Sequence, residues 1–568
     1  RERERERERT REKEREREMH SNMNEISISF NLNNGDNNYN NLDADHFKTN
    51  QIVVKQATVA NDRYIPHYRL VHLDLKGARP KLSYLSEIFP LFKKAGANGL
   101  LLEFEDVFPF TGDLQDVVAS NAFSKDEIQQ IIDLAEQYDF ELIPLLQTFG
   151  HMEYFLKLKH YRHLREVDEF PQAICPSRNE SFMLIEQIID QVMNLFPKSK
   201  WLHIGCDEVY HIGMCDRCKQ IDRDELFLAY GKIFNNIILD YVKSKYNVAP
   251  IIWDDMLRTI SIESIKHYNL KEVGVELMIW TYIDDIYRFV SPSQWDVYSE
   301  YFNNVWGASA FKGAFGETLT VPNIKMHLDN NIAWLQTLNE QKNNFQNIHG
   351  LVITGWQRYD HFATLCELFP SGLPSLIMDL LTVTNGRYDN KILNKFDRVM
   401  KCEASYYSSQ NIFIEDPNFF SKINCNFPGV KIFRLMSRLV SVQKKVDDYL
   451  YDKTIHKAWI TDYNVRHNIS SPFRINEALQ DYTYIWSDLK YLLKSAIESL
   501  SEVYDDYTVN EWIEQKIYPS LIRMETFYNN TIQLKKARTW PKRPLNSYKV
   551  IERFLDDNNK VAPNNGSK

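Results

Sequence analysis

From residue 68 to about residue 385 the sequence repeats one pattern, a short apolar run followed by a longer amphipathic stretch. The apolar runs fall at 68–75, 99–104, 141–147, 201–205, 250–254, 275–280, 305–308 and 350–355. Helical spacing of apolar residues lies between them, at 82–94, 125–138, 181–196, 226–243, 321–339 and 361–381. Ser124, with Glu127 three residues on, has the form of a capping box that starts the second of these helices. Neighbouring parallel strands need a crossover of a dozen or more residues, usually a helix, and this alternation supplies one in five of the seven gaps between runs. A count of eight strands favours an α/β fold of the (β/α)8 TIM barrel type over an open sheet. In that fold the working residues sit at the C-terminal ends of the strands, which filters the candidates below.

The flanks read differently. Residues 1–18 alternate Arg and Glu, and residues 31–41 are rich in Asn. A two-residue charge repeat places like charges at i and i+4, which disfavours a helix. Residues 1–64 are therefore expected to be a disordered tail, and residues 65–385 the catalytic barrel. Beyond 385 only helical periodicity remains, with long amphipathic stretches at 435–451, 476–504 and 510–536. Residues 386–556 are expected to be a helical C-terminal domain, and 557–568 a frayed polar tail. The apolar stripes of those helices suit an internal core, or alternatively a homodimer contact.

Composition narrows the function. Hydrophobic residues make up 43% of the 568, enough for a large core. A net charge of -9 argues against a nucleic-acid partner, which needs a basic stripe. No apolar run approaches the ~18 residues of a membrane span, and no N-terminal apolar core with a cleavage site is seen. Seven cysteines are too few and too odd a number for a disulfide framework. Free thiols and a cytoplasmic or nuclear location are the expectation.

The fourth apolar run continues into Gly205, Cys206, Asp207 and Glu208. Adjacent side chains on a regular strand point to opposite faces, but where the chain turns both carboxylates can enter one pocket. Two acids in different surroundings can divide their work, one held protonated as a donor and one ionised. A solvated strand-end turn would also show such a pair. Three tryptophans, Trp253, Trp280 and Trp356, stand at the ends of the fifth, sixth and eighth runs. Singly each would cap the barrel core. Three beside an acid pair suit the apolar faces of sugar rings. His151 follows a glycine at the third strand end, and Asp74 and Lys76 end the first, where they could read hydroxyls or pair with each other. Glu103, Glu105 and Asp106 after the second run are open to the same two readings.

The run His203-Ile204-Gly205-Cys206-Asp207-Glu208 resembles the H-x-G-x-D-E signature of family 20 β-N-acetylhexosaminidases. The runs 72–77, 147–153, 311–314 and 355–361 resemble its hexosaminidase D-like branch, in the right order, and the likeness covers roughly residues 68–381. The resemblance implies substrate-assisted retaining hydrolysis of terminal β-N-acetylhexosamine from a glycan or glycoconjugate. Glu208 would be the general acid and base, and Asp207 would hold the acetamido N–H. Tyr282 would bond the acetamido oxygen. Trp253, Trp280 and Trp356 would wall the sugar, and Asp74, His151, His203 and Asp360 would complete the substrate contacts. No cofactor and no metal are implied. The wider family carries an arginine at the end of strand one. Here Asp74 and Lys76 stand there, with Arg79 only after a turn, and the branch's association with galactosaminides sets the lean.

Two other readings compete. A metal-dependent barrel hydrolase could use His72, Asp74, His151, His203, Asp207 and Asp254, although no HxH pair appears and the tryptophans would be unexplained. A carbohydrate-binding pseudo-enzyme would keep the tryptophans and lose the acids, both of which are present. Cys215 and Cys218 form a lone CxxC that needs partners to bind zinc, and Cys206 and His211 are close in sequence.

Overall fold

The computed structural model describes residues 63–233, 241–268, 270–403 and 424–545. The expected 1–64 tail apart from residues 63 and 64, the expected 557–568 tail, residues 546–556 of the expected helical domain and part of the predicted helix at 226–243 lie outside these residues. Ten strands are numbered along the chain. Those of the barrel are β1 (Tyr68–Asp74), β2 (Gly99–Glu103), β3 (Glu141–Leu145), β6 (Trp201–His203), β7 (Ala249–Trp253), β8 (Glu276–Trp280), β9 (Asn304–Lys312) and β10 (Asn347–Gly355). They close in the order β1-β10-β9-β8-β7-β6-β3-β2, all parallel. β4 (Arg165–Val167) and β5 (Phe170–Ile174) make a separate antiparallel hairpin in the connection after β3, which the periodicity did not show.

Strand alternation builds two cores. Leu70, Leu101, Ile143, Trp201, Ile251, Met278, Trp306 and Val352 point inward and fill the barrel. Their neighbours Val71, Leu100, Leu102, Leu202, Leu277 and Leu351 point outward against the helices. Each fully buried large apolar side chain stabilises the fold by roughly 1.5–3 kcal/mol. The helices start and stop as local chemistry requires. Ser124 Oγ accepts from Glu127 N, and the Glu127 carboxylate accepts from Ser124 N, opening Lys125–Gln137. Leu82–Ala95 ends at Gly96, whose φ of 102° is left-handed.

The C-terminal helices, including Val430–Tyr451 and Pro472–Ser501, share the outer core with the barrel. The buried Tyr504 hydroxyl accepts from Phe369 N at 3.2 Å, and Lys81 N donates to Val503 O at 2.8 Å. The expected helix at 510–536 is two, Asp506–Lys516 and Tyr518–Lys535. Pro519 has no N–H to continue the first and sits in the opening turn of the second. The expected helix at 361–381 begins only at Phe369. The residues before it form the loop after β10, and the C-terminal helix holds that loop: Gln515 Oε1 accepts from Thr364 Oγ1 at 2.7 Å and Leu365 N at 3.1 Å. The expectation of free thiols is corrected at one place. Cys402 and Cys425, brought opposite each other in an antiparallel bridge, are disulfide-bonded, while the other five cysteines are free. Among the described residues no helix is long and apolar enough to cross a membrane.

Candidate active site

At the C-terminal mouth of the barrel lies a cavity of about 260 Å³. Asp207 and Glu208 both line it, although they are adjacent in sequence. The backbone explains how. After β6, Gly205 (φ 68°), Cys206 (φ 71°) and Glu208 (φ 50°) all take left-handed conformations, which break the strand's alternation. Non-glycine residues hold such angles only where the surroundings impose them, and they cluster at working sites. At Gly205 the left-handed φ favours glycine, and a Cβ would meet Gln147 Oε1 at 2.0 Å and push that amide aside. At Gly150 a Cβ would meet the carbonyl oxygen of Asp207 at 2.1 Å, which brings the loop after β3 directly against the acid pair.

That loop delivers His151 (φ 51°) to both acids. Its Nε2 is 3.2 Å from Glu208 Oε2 and 3.5 Å from Asp207 Oδ2. Burial alone would lower the pKa of His151. The facing charge of Asp207, the bond to Glu208 and the charge of Glu153 outweigh it and hold the imidazole well above its usual value. Burial pushes the Asp207 carboxyl up to about 8, and repulsion from Asp255, Glu208 and Glu103 adds to the rise against the pull of His151. Burial also raises Glu208, but its bond to His151, that residue's charge and the Tyr210 hydroxyl at 2.9 Å reverse the sign and hold it below the usual carboxylate range. In the free site the cation thus stands on His151 and the ionised acid is Glu208. The three form one coupled proton-holding group.

The indoles form the wall. Trp253 and Trp356 have ring centroids 6.0 Å apart, inclined at 56°, and Trp280 stands 5.2 Å from the Tyr282 ring. The Trp356 indole N–H donates to the Tyr282 hydroxyl at 2.8 Å. Trp280 donates its indole N–H to Asp255 Oδ1 at 3.1 Å, and Glu208 N donates to Asp255 Oδ2 at 2.9 Å. One half-buried carboxylate, pushed up to about 6 chiefly by desolvation, therefore fixes both an indole wall and the backbone of Glu208. Behind it, Asp254 and Arg258 form a two-point ion pair at 2.7 and 2.6 Å.

The predicted residues divide into two sets. His151, Asp207, Glu208, Trp253, Trp280, Tyr282 and Trp356 meet in the cavity. His203, Asp74 and Asp360 are not among its lining residues. His203 follows Trp201 at strand period two, so it points into the barrel below the cavity. It is fully buried against Trp253 with centroids 4.4 Å apart, and burial lowers its pKa to about 3. Asp74 ion-pairs with Lys76 at 2.8 Å and accepts from Gln357 N at 2.7 Å. Asp360 accepts from Phe362 N and Ala363 N at 2.6 and 2.9 Å, which shapes its own loop.

Residues outside the predicted set complete the cup. Lys76, Glu103 and Glu105 line it, as do Gln147 and Arg358. The strand ends put all five within view, but which of them faced inward depended on the loops. Arg358 is held from outside the barrel by an ion pair to Glu511 on the C-terminal helix. Of the residues of the metal-hydrolase reading, His151 and Asp207 meet, while His72 and Asp254 turn to other partners. His72 pairs with Glu103 at 3.0 Å and Asp254 with Arg258, away from His151. Among the described residues, the one cluster of ligating side chains close enough to share an ion involves none of them.

This geometry has relatives. A family model described as "Glycosyl hydrolase family 20, catalytic domain" matches residues 86–303, which hold the acid pair, Trp253 and Trp280. Hexosaminidase D of Homo sapiens is 36% identical over 485 residues, 84% of this chain and 96% of that protein. Hexosaminidase D of Bos taurus is 42% identical over 332 residues, 57% of this chain and 94% of that protein. Among solved structures, the β-N-acetylhexosaminidase of Bacteroides fragilis NCTC 9343 aligns with 58% of this chain and 67% of its own at 14% identity, with a TM-score of 0.41. With 36% identity sustained across nearly the whole of the human relative, the chain is a glycoside hydrolase that belongs to glycosyl hydrolase family 20, on its hexosaminidase D-like branch.

Proposed function

We propose that this hydrolase, a β-N-acetylhexosaminidase by family, removes single terminal residues from glycans by substrate-assisted retention. The observation that carries the reading is the acid pair and His151 meeting in one indole-walled cup. A volume of about 260 Å³ is below the roughly 300–1,000 Å³ of pockets for larger ligands, and it suits one sugar and its acetamido group. That size supports exo action.

In this scheme the 2-acetamido carbonyl oxygen attacks the anomeric carbon as the glycosidic bond breaks. Glu208 gives its proton to the departing oxygen and later takes one from the incoming water. In the free site the proton stands on Asp207 and Glu208 is ionised; as substrate enters, that proton passes to Glu208 through His151, which lies 3.5 Å from one acid and 3.2 Å from the other. Asp207, ionised once its proton has passed on, accepts the acetamido N–H and faces the positive charge that develops on the oxazolinium ring. Its depth, where water cannot screen it, strengthens that interaction. Tyr282, oriented by the Trp356 indole, bonds the acetamido oxygen, and the three indoles hold the group over its own anomeric carbon. Such confinement turns a floppy contact into an effectively intramolecular attack, worth up to about 7–11 kcal/mol of barrier in well-oriented systems. N-acetylgalactosaminides are the favoured substrates of the branch it resembles, and we take that lean for this enzyme.

The test is a paired assay on the β-p-nitrophenyl glycosides of N-acetylgalactosamine and N-acetylglucosamine, with a thiazoline mimic of the oxazolinium as inhibitor. Release from at least one glycoside is expected, with inhibition far tighter than substrate binding because the mimic resembles the charged intermediate. Turnover that ignores the thiazoline would contradict assistance by the acetamido group.

A further inference from the structure

We infer that Glu166, Cys175, Cys215 and Cys218 form a structural zinc site, separate from the substrate cup, that ties together the two loops bearing His151 and the acid pair. Their ligand atoms all lie within 4.8 Å of one another. Cys175 Sγ is 3.7 Å from both Cys215 Sγ and Cys218 Sγ. A disulfide would bring sulfurs to about 2.05 Å. Three thiolates on a tetrahedral zinc, each with a bond of about 2.3 Å, stand about 3.8 Å apart along the tetrahedron's edges, so the observed spacing is that of a zinc–thiolate site.

Glu166 supplies an independent observation. It is buried, at 3% exposure, and its Oε1 accepts from Met214 N at 2.8 Å and Cys215 N at 3.0 Å. Its other oxygen, Oε2, is buried with no hydrogen-bond partner. A buried carboxylate oxygen left unpaired is expensive, and a cation shared with three thiolates would satisfy it. The CxxC turn has the knuckle form such ligands use, with Cys218 N donating to Cys215 O at 3.1 Å. The Ser177 hydroxyl stands 3.0 Å from Cys218 Sγ, in place to donate to a thiolate there. The nearer candidates by sequence serve elsewhere. Cys206 Sγ lies 3.6 Å from Thr148 Oγ1, and His211 stacks on Phe170 with centroids 4.2 Å apart.

The position gives the ion its purpose. Glu166 on β4 and Cys175 just past β5 belong to the hairpin that follows the His151 loop, and two backbone bonds join them: Met152 N to Gln172 O at 2.9 Å, and Ile174 N to Phe149 O at 3.1 Å. Cys215 and Cys218 lie in the loop that begins with Asp207 and Glu208. One ion thus fixes the spacing of the acid pair from His151 without touching the sugar.

The test is metal analysis of the full chain, purified without chelator. About one zinc per chain is expected. The stripped wild-type chain, titrated with Co2+, should develop the thiolate-to-metal charge-transfer absorption and the intense d–d bands of a tetrahedral sulfur site. Cys215→Ser/Cys218→Ser should lose both the zinc and the absorption. Three thiols should resist a thiol reagent until the zinc is removed. A folded, active wild-type chain that holds no zinc and gives no charge-transfer band with Co2+ overturns the proposal. So does a disulfide from Cys175 to Cys215 or Cys218 in the chain as purified. Both are read on the wild type, so misfolding of the variant would not obscure them.

Discussion

Asp207→Asn should abolish most activity and yet make the folded chain more stable at neutral pH. In the native site Asp207 keeps its proton up to about pH 8, against its ordinary 3.8. Between those values the native state holds a proton that the unfolded chain has released. The unfolding free energy therefore falls as pH rises through this window, by at most 1.36 kcal/mol per pH unit. Summed over the whole window the ceiling is on the order of 5 kcal/mol. The value of about 8 already carries the attraction of His151, and relaxation of the site around the acid keeps the expected difference to about 1–3 kcal/mol at pH 8. Asparagine is neutral at every pH and nearly the same shape. The variant should match the wild type at pH 3 and below, where Asp207 is mostly protonated in both states, and should exceed it increasingly toward pH 8. Urea midpoints compared at equal m across that range measure the difference. A variant less stable than the wild type at pH 8, or a difference flat with pH, would refute the reasoning that burial dominates this carboxyl. Such opposition between activity and stability is what a desolvated working acid entails.

His151→Gln should lower kcat by about 10²–10⁴ with little change in KM, since it removes the proton supply to Glu208 and leaves the indole walls in place; steady-state kinetics on the preferred glycoside decide it. Gly205→Ala should destabilise the fold by more than about 1 kcal/mol and lower activity together, because it adds left-handed strain and a 2.0 Å clash with Gln147, visible in thermal unfolding.

The barrel was legible because its signal is periodic. Eight apolar runs became eight strands, and the capping box at Ser124 formed as its spacing required. Boundaries moved where proline intervened, as at Pro519, and where loop residues with helical spacing were claimed by another element, as at Thr364 and Leu365 under Gln515. Within the site, the tryptophans and the acid pair were readable from strand ends alone. His203 lies one layer below the cup, packed on Trp253, a depth that strand period two does not show. Asp74 and Asp360 turned to partners next to them in the chain, Lys76 and the amides of Phe362 and Ala363. Arg358 depends on Glu511, 153 residues away, and the CxxC depends on Cys175, 40 residues before Cys215. Pairings at such distances leave no local pattern to find.

The most direct measurement of the central claim compares Glu208→Gln with the wild type on two β-N-acetylhexosaminides, one with a nitrophenolate that departs unaided and one with a sugar alcohol that must be protonated. If Glu208 is the acid, kcat/KM for the sugar alcohol falls by about 10²–10⁴ and that for the nitrophenolate by far less. Equal losses on both substrates, or wild-type rates on the sugar alcohol, would contradict it.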